Sequence, residues 1–368
     1  MTTPALRTAL KLDIVVIGAG QAGLSSAYHL KKLGLVPQRD FLVLDHAPSP
    51  GGAWQHRWPS LTLSTVNRVH DLPGLGFAEF SGTDQSVRAS VAVPHYFAAY
   101  ESHFDLRVLR PADVKVVCPR GDHLRVESDR GLFSVRGIIN ATGTWEQPYV
   151  PDYPGRDLFT GRQLHTKDYR TADEFRGKHV LIVGGGISAI QLLDEISQVT
   201  RTTWVTRTPP RWRTGPFDEE AGRMAVAMVE ERVRAGLPPR AVVSVTGLPV
   251  TPAIEAMQAR GALDRLPMFS EISESGVRWE DGTSRDVDVI LWCTGFRSAL
   301  DHLAPLQLRE ENGGIVMTGR LATQAAKDPR IHLVGYGPSA STIGANRAGA
   351  AAARELTRYL AGMEDGAA

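Results

Sequence analysis

Short apolar runs alternate with helix-like segments in the first 45 residues and again over residues 178–205. That alternation predicts a doubly wound, mainly parallel sheet in each stretch. Asp13-Ile14-Val15-Val16-Ile17 and Phe41-Leu42-Val43-Leu44 flank a helix-like segment at 24–33, and Val180-Leu181-Ile182-Val183 and Thr203-Trp204-Val205-Thr206 frame the second stretch. Residues 114–117, 124–127 and 132–136 read as short antiparallel strands, turning at Pro119-Arg120-Gly121-Asp122 and Ser128-Asp129-Arg130-Gly131. This meander leads into Ile138-Ile139-Asn140-Ala141-Thr142-Gly143. A comparable run, 276–279 then 287–292, ends in Cys293-Thr294-Gly295, so the halves read as variations on one plan. A strand at 331–335 and an Ala-rich helix at 344–360 close the chain. Residues 218–235 form a further helix, read as packing or as a wall of the substrate cavity.

Each half opens on a glycine turn. Gly18-Ala19-Gly20-Gln21-Ala22-Gly23 follows the first apolar run, and Gly184-Gly185-Gly186-Ile187-Ser188-Ala189 follows Val183. In a strand–turn–helix unit the first glycine permits the tight turn and the second admits a pyrophosphate. The third lets helix and strand pack closely, and Ala189 is tolerated there. The diphosphate then rests on unpaired N–H groups at the positive end of the helix. Asp45, with His46 beside it, ends the second strand of the first half, where an acid grips ribose hydroxyls and repels a 2′-phosphate. In the second half that place is taken by Arg207 and Thr208, with Arg211 and Arg213 close behind; a guanidinium binds phosphate through paired charge-assisted hydrogen bonds. One site therefore suits FAD or NAD, the other NADPH.

The predicted fold class is α/β, with two Rossmann-like dinucleotide-binding domains and the NADP domain inserted in the FAD domain. Gln147-Pro148-Tyr149-Val150-Pro151-Asp152-Tyr153-Pro154 is the natural linker out of the first domain. The expected boundaries are 1–153 for the first part of the FAD domain, 154–295 for the NADP(H) domain and 296–368 for the C-terminal return.

Lys+Arg number 41 against 40 Asp+Glu, a net charge of +1, which removes the electrostatic case for nucleic acid or anionic membrane. No apolar stretch has the length of a membrane span, and residues 1–11 lack the apolar core of a signal peptide, so a cytoplasmic protein is expected. The two cysteines, Cys118 and Cys293, form no C-x-x-C pair, so the redox dithiol of disulfide reductases is missing. The eleven histidines show no metal-ligand spacing.

Phe159-Thr160-Gly161-Arg162-Gln163-Leu164-His165-Thr166-Lys167-Asp168-Tyr169 fits F-x-G-x-x-x-H-x-x-x-Y. With Gly51-Gly52-Ala53-Trp54, Ala141-Thr142-Gly143 and Cys293-Thr294-Gly295-Phe296, the chain resembles the flavin-containing monooxygenases, short bacterial members above all. The resemblance covers nearly the whole chain. It implies FAD, NADPH and O2, a C4a-(hydro)peroxyflavin shielded by bound NADP+, a small organic substrate and a homodimer. Such chemistry needs a dry, enclosed site, because water and loose protons release hydrogen peroxide instead. Trp54 and Trp58 are candidate walls.

The resemblance also nominates His165 and Tyr169 as candidate catalytic residues, although the segment 159–169 reads more readily as a hinge or strut holding the nicotinamide domain over the flavin. Asn67 is the candidate beside flavin N5. Where related flavoproteins carry an acid after the final strand, this chain has Gly335-Tyr336-Gly337-Pro338. N–H groups near Ser341 and Thr342, at a following helix start, are the expected substitute. The leading expectation is oxygenation of a small soft nucleophile, a sulfide or amine, with ketone insertion of the Baeyer–Villiger type as a close variant. A flavin reductase passing electrons to a quinone, protein or O2, and a nucleotide-binding redox sensor, are the alternatives.

Overall fold

The computed structural model describes residues 9–66, 69–82, 84–213, 219–239 and 247–365. Strand β1 (Leu10–Ile17) leads through the first glycine turn into helix α1 (Gln21–Lys32) and returns as β2 (Phe41–Leu44), parallel to β1. Helix α2 (Ala89–His103), which the sequence pattern does not announce, buries Tyr96, Phe97 and Tyr100 against α1. Its Pro94 is the sixth helical residue and so removes one hydrogen bond of the helix, to the Ser90 carbonyl.

The meander is β3 (Val114–Arg120), β4 (His123–Ser128) and β5 (Gly131–Asn140). The third strand does not stop at Arg136 as expected. It pairs antiparallel with β4 through Val135 and runs on to Asn140 parallel to β1. One strand thus joins the meander to the central sheet, and its inward positions, Val135, Ile138 and Ile139, are fully buried.

A second, wholly parallel sheet then interrupts the first. It contains β6 (Arg162–His165), β7 (Val180–Val183), β8 (Thr202–Thr206), β9 (Arg265–Pro267) and β10 (Val289–Trp292), in the order β9-β8-β7-β10-β6. Helix α3 (Ile187–Ser197) connects β7 to β8 and buries Ile190, Leu192, Leu193 and Ile196. The chain returns to the first sheet as β11 (Asp328–Leu333), parallel to β5, and ends in the long helix α5 (Thr342–Asp365). Between α3 and the return, α4 (Glu219–Arg234) buries Val229 and Val233.

Helices α1 and α5 lie nearly in backbone contact: a Cβ at Gly349 would stand 2.8 Å from Ser25 Oγ, and that hydroxyl donates to the Asn346 carbonyl (3.0 Å). In each sheet the strand carrying the glycine turn sits between its βαβ partner and a strand reached by a long connection, β2 and β5 around β1, β8 and β10 around β7. Both turns therefore occupy the switch point at the carboxyl edge of a sheet, the place where open α/β sheets bind ligands. Two chain crossings join the sheets, and they pair: Tyr149 N–H donates to the Gly295 carbonyl (2.9 Å) and Arg297 N–H to the Gln147 carbonyl (2.8 Å). No described helix is long and apolar enough to cross a membrane.

Candidate active site

The glycines of the first turn do three different jobs. Gly18 has φ +98°, and a Cβ there would lie 2.6 Å from the Ala141 carbonyl oxygen; one at Gly23 would collide with the Gly18 carbonyl. Gly20 has ordinary backbone angles and nothing within 4 Å of where its side chain would stand. Its lack of a side chain is not demanded by the protein, so the cleared space is room for a ligand. Gly186 repeats this, open space included, while Gly184 presses against the Cys293 carbonyl. No side chain caps the start of α1 or α3, which leaves their first N–H groups for an anion. Gly52 brings the loop 51–54 to within 3.0 Å, Cβ to Cα, of Gly20. The residues present thus fit a dinucleotide diphosphate at each turn.

Around these turns the other expected residues fall into place. A Cβ at Gly335 would stand 3.8 Å from that of Ala22, and Gln21 donates to Asn346 Oδ1 (2.9 Å) and the His70 carbonyl (3.2 Å), tying the turn to the C-terminal return. Asp45 is only 4% exposed and is gripped by Arg110 (3.0 Å), a partner that sequence spacing did not reveal because 65 residues separate them. Arg110 also pairs with Glu101. Thr142 donates to the Ala299 carbonyl (2.6 Å) and Thr294 to that of Tyr149, so each Thr-Gly end is tied to the opposite crossing; Gly143 and Gly295 have positive φ. Gly337 sits over Val233, 2.9 Å from a would-be Cβ, which brings α4 against the carboxyl edge of the first sheet. Ser341 Oγ accepts the Gly344 N–H (3.1 Å) and so serves the start of α5 where Thr342 begins. Arg207 and Thr208 lie exposed beyond β8. Ser188 is half-buried in the first turn of α3, between Ile187 and buried Ala189. Asn67 lies outside the described residues.

His165 is held at both ring nitrogens. It ends β6, 4% exposed, and its Nδ1 accepts the Lys167 N–H (3.1 Å), which leaves Nε2 as the protonated nitrogen donating to the Gly295 carbonyl (2.9 Å). Burial lowers its pKa. Both nitrogens are committed, so the ring ties the edge strand to the second crossing and is not free to move a proton. The segment 159–169 is an edge strand of the second sheet followed by a turn. Tyr169 is 1% exposed, its hydroxyl donates to Glu195 (2.7 Å), and burial with that carboxylate raises its pKa. Trp58 packs edge-on against Tyr169 as a core residue, whereas Trp54 touches the cores of both sheets. Cys293 is buried with its thiol pushed up to about 12 by burial, an inert position; both cysteines are free.

One group escaped the sequence reading. At the junction of the crossings Trp145 stacks on Phe296 (5.2 Å) and on His56 (5.7 Å), and Phe296 meets His165 edge-on (4.8 Å). Arg57 lies over the Trp145 ring (5.0 Å) and the Trp54 ring (5.7 Å), and Lys167 also approaches Trp145 (5.7 Å). Glu146, paired with Lys167 (3.0 Å) and near His46 (3.5 Å), is the acid of the cluster. A concavity of about 650 Å³ opens elsewhere, between residues 58–65 and the carboxyl end of α3, away from both glycine turns.

A family model described as pyridine nucleotide-disulphide oxidoreductase matches residues 15–233. A flavin-containing monooxygenase from Stenotrophomonas maltophilia is 36% identical, with 95% of this chain and 99% of that chain covered at a TM-score of 0.80. The chain belongs to the flavin-containing monooxygenases. It is a flavin-dependent oxidoreductase, and the cofactors of this family, FAD and NADPH, are the pair its two turns fit. A Baeyer–Villiger monooxygenase from Streptomyces coelicolor is 31% identical over 53% of this chain and 38% of its own length. The indole-3-pyruvate monooxygenase YUCCA1 of Oryza sativa subsp. japonica is 29% identical, covering 77% of this chain and 76% of that protein.

Proposed function

We propose that this flavin monooxygenase couples NADPH oxidation to insertion of one oxygen atom of O2 into a small organic substrate. Residues 1–153 and 296–368 are assigned to FAD and 154–295 to NADPH. The observation that carries the reading is the pair of switch-point turns, each with its middle glycine facing open space, followed by Asp45 in one half and Arg207 in the other.

In this reading Gly18, Gly20 and Gly23 seat the FAD diphosphate and Asp45 its ribose, oriented by Arg110. Gly184 and Gly186 seat the NADPH diphosphate, and Arg207 with Thr208 receives the 2′-phosphate. When bound, the flavin supplies the site of hydride acceptance and, at C4a, of oxygen addition. The protein supplies position and dryness. His165 and the paired crossings hold the second sheet against the first, and His56, Trp145 and Phe296 stack at the junction. The names of the relatives place ketones and 2-oxo acids beside sulfides and amines as substrates to screen.

The test is rapid mixing of the anaerobically NADPH-reduced holoenzyme with oxygenated buffer. A near-ultraviolet C4a-adduct band that outlives mixing and precedes flavin reoxidation supports the reading. Direct reoxidation with stoichiometric peroxide moves it to a flavin reductase or oxidase.

A further inference from the structure

Arg57 has a charge with nothing to answer it. Its Nε is shut off from water without a hydrogen-bond partner, and no ion pair or hydrogen bond reaches its guanidinium among the described residues. Burial alone acts on its pKa, downward, with no carboxylate contributing. The ring faces of Trp54 and Trp145 hold the cation in place. They do not replace the two parallel hydrogen bonds its planar fork is shaped to make. Around the neighbouring His56 the permanently charged groups are Lys167, Arg170 and Glu146, and Glu146 is already paired with Lys167. Arg57 is half-buried, with its Nε shut in and its terminal nitrogens left for a ligand, so an anion that completes the fork recovers the hydrogen bonds the protein does not supply.

The anionic groups of the two nucleotides already have seats at the glycine turns and at Arg207. The anion that completes Arg57 therefore has to come from a third molecule. We propose that Arg57, clamped between Trp54 and Trp145, binds the carboxylate of the organic substrate, so that the enzyme selects small acids over their neutral analogues. This rests on the proposed monooxygenase reading for calling the ligand a substrate, but the binding itself does not depend on oxygen insertion.

The experiment is an anaerobic titration of the oxidised, FAD-loaded full chain, following the flavin difference spectrum. The probes are phenylpyruvate and phenylacetone, which differ by carboxylate against methyl. The wild type is expected to bind the acid at least tenfold more tightly than the ketone. Arg57→Gln should abolish that preference while leaving phenylacetone binding, FAD content and the dissociation constant for NADP+ unchanged, and Arg57→Lys should retain part of it. Equal binding of the two probes by the wild type, or no binding of the acid, overturns the proposal. A weakened NADP+ in Arg57→Gln also overturns it, assigning the cation to a cofactor phosphate, and so does loss of FAD. If the C4a band is absent while the acid preference and its loss in Arg57→Gln hold, the monooxygenase reading falls and the acid site stands.

Discussion

Tyr169 donates its hydroxyl to Glu195 Oε2 across 2.7 Å, and Ser60 Oγ lies 2.8 and 2.7 Å from the two oxygens of the same carboxylate. The carboxylate on α3 thus gathers the end of the family motif and a loop that follows Trp58 in the first half of the chain. Gln191 adds a second tie from the same helix, donating to the Thr65 carbonyl (3.0 Å). These bonds fix how the two sheets face each other, a distance and angle on which hydride transfer depends. Tyr169→Phe leaves the carboxylate with Ser60 and should cost about 1.5–3 kcal/mol of stability, the worth of a hydrogen bond to a charged group. Flavin reduction by NADPH should slow several-fold with FAD still bound. Stopped-flow reduction beside a melting curve checks this, and a lower melting temperature with unchanged reduction rate would reduce the clamp to a packing role.

Gly20 and Gly23 look equivalent in the motif and are not equivalent in space. Gly20→Ala meets nothing in the protein, so the variant should fold with unchanged melting temperature in the apo state and lose FAD affinity by at least tenfold. Gly23→Ala would drive a methyl into the Gly18 carbonyl and should lower apo stability itself. Flavin retention on a desalting column, set against the apo melting temperatures, separates the two; similar behaviour of both variants would contradict the assigned roles.

Much of this was legible because it is local. The glycine turns, the runs after them and the Thr-Gly strand ends each depend on neighbours within a few residues, and β2, β7 and β8 fall within a residue of the pattern. What stayed hidden depends on partners far along the chain. Arg110 meets Asp45, Ser60 meets Glu195, and Arg57 meets Trp145 only after folding, and no periodicity announces such pairs. Helix α2 was masked by Pro94 and by aromatic residues spread too evenly to give an amphipathic stripe. The motif suggests a hinge or strut at His165, but which groups its two nitrogens hold depends on partners that sequence does not show.

Arg207 stands exposed at the end of β8, with no ion pair among the described residues holding it elsewhere. A 2′-phosphate there gains charge-assisted hydrogen bonds of roughly 1.5–3 kcal/mol each. Arg207→Gln should therefore lower the preference for NADPH over NADH by about tenfold to a hundredfold, chiefly through the KM for NADPH. Steady-state NADPH and NADH oxidation measure the ratio; an unchanged ratio would leave Arg207 as a solvated surface charge.

Two buried histidines set the acid limit of the fold. His332 is fully buried on β11, bonded through Nδ1 to Thr323 Oγ1 (3.1 Å), with Nε2 unpartnered, and burial takes its pKa down to about 3. His302 Nε2 donates to Asn140 Oδ1 (2.7 Å), and burial lowers it to about 4. In the unfolded chain each titrates near 6.5. Between those values the unfolded chain binds protons that the fold refuses, so stability is fully present above pH 6.5 and falls as pH drops toward 4. The loss amounts to about 2 kcal/mol per histidine by pH 5. His332→Asn keeps an amide near Nδ1 for Thr323 and removes the titration. It should lower stability at neutral pH by opening a cavity, yet flatten the decline between pH 6.5 and 5 by about 1.5 kcal/mol. Denaturant unfolding at pH 8, 6.5 and 5 measures both slopes, and a variant as acid-sensitive as the wild type would show that the proton uptake lies elsewhere.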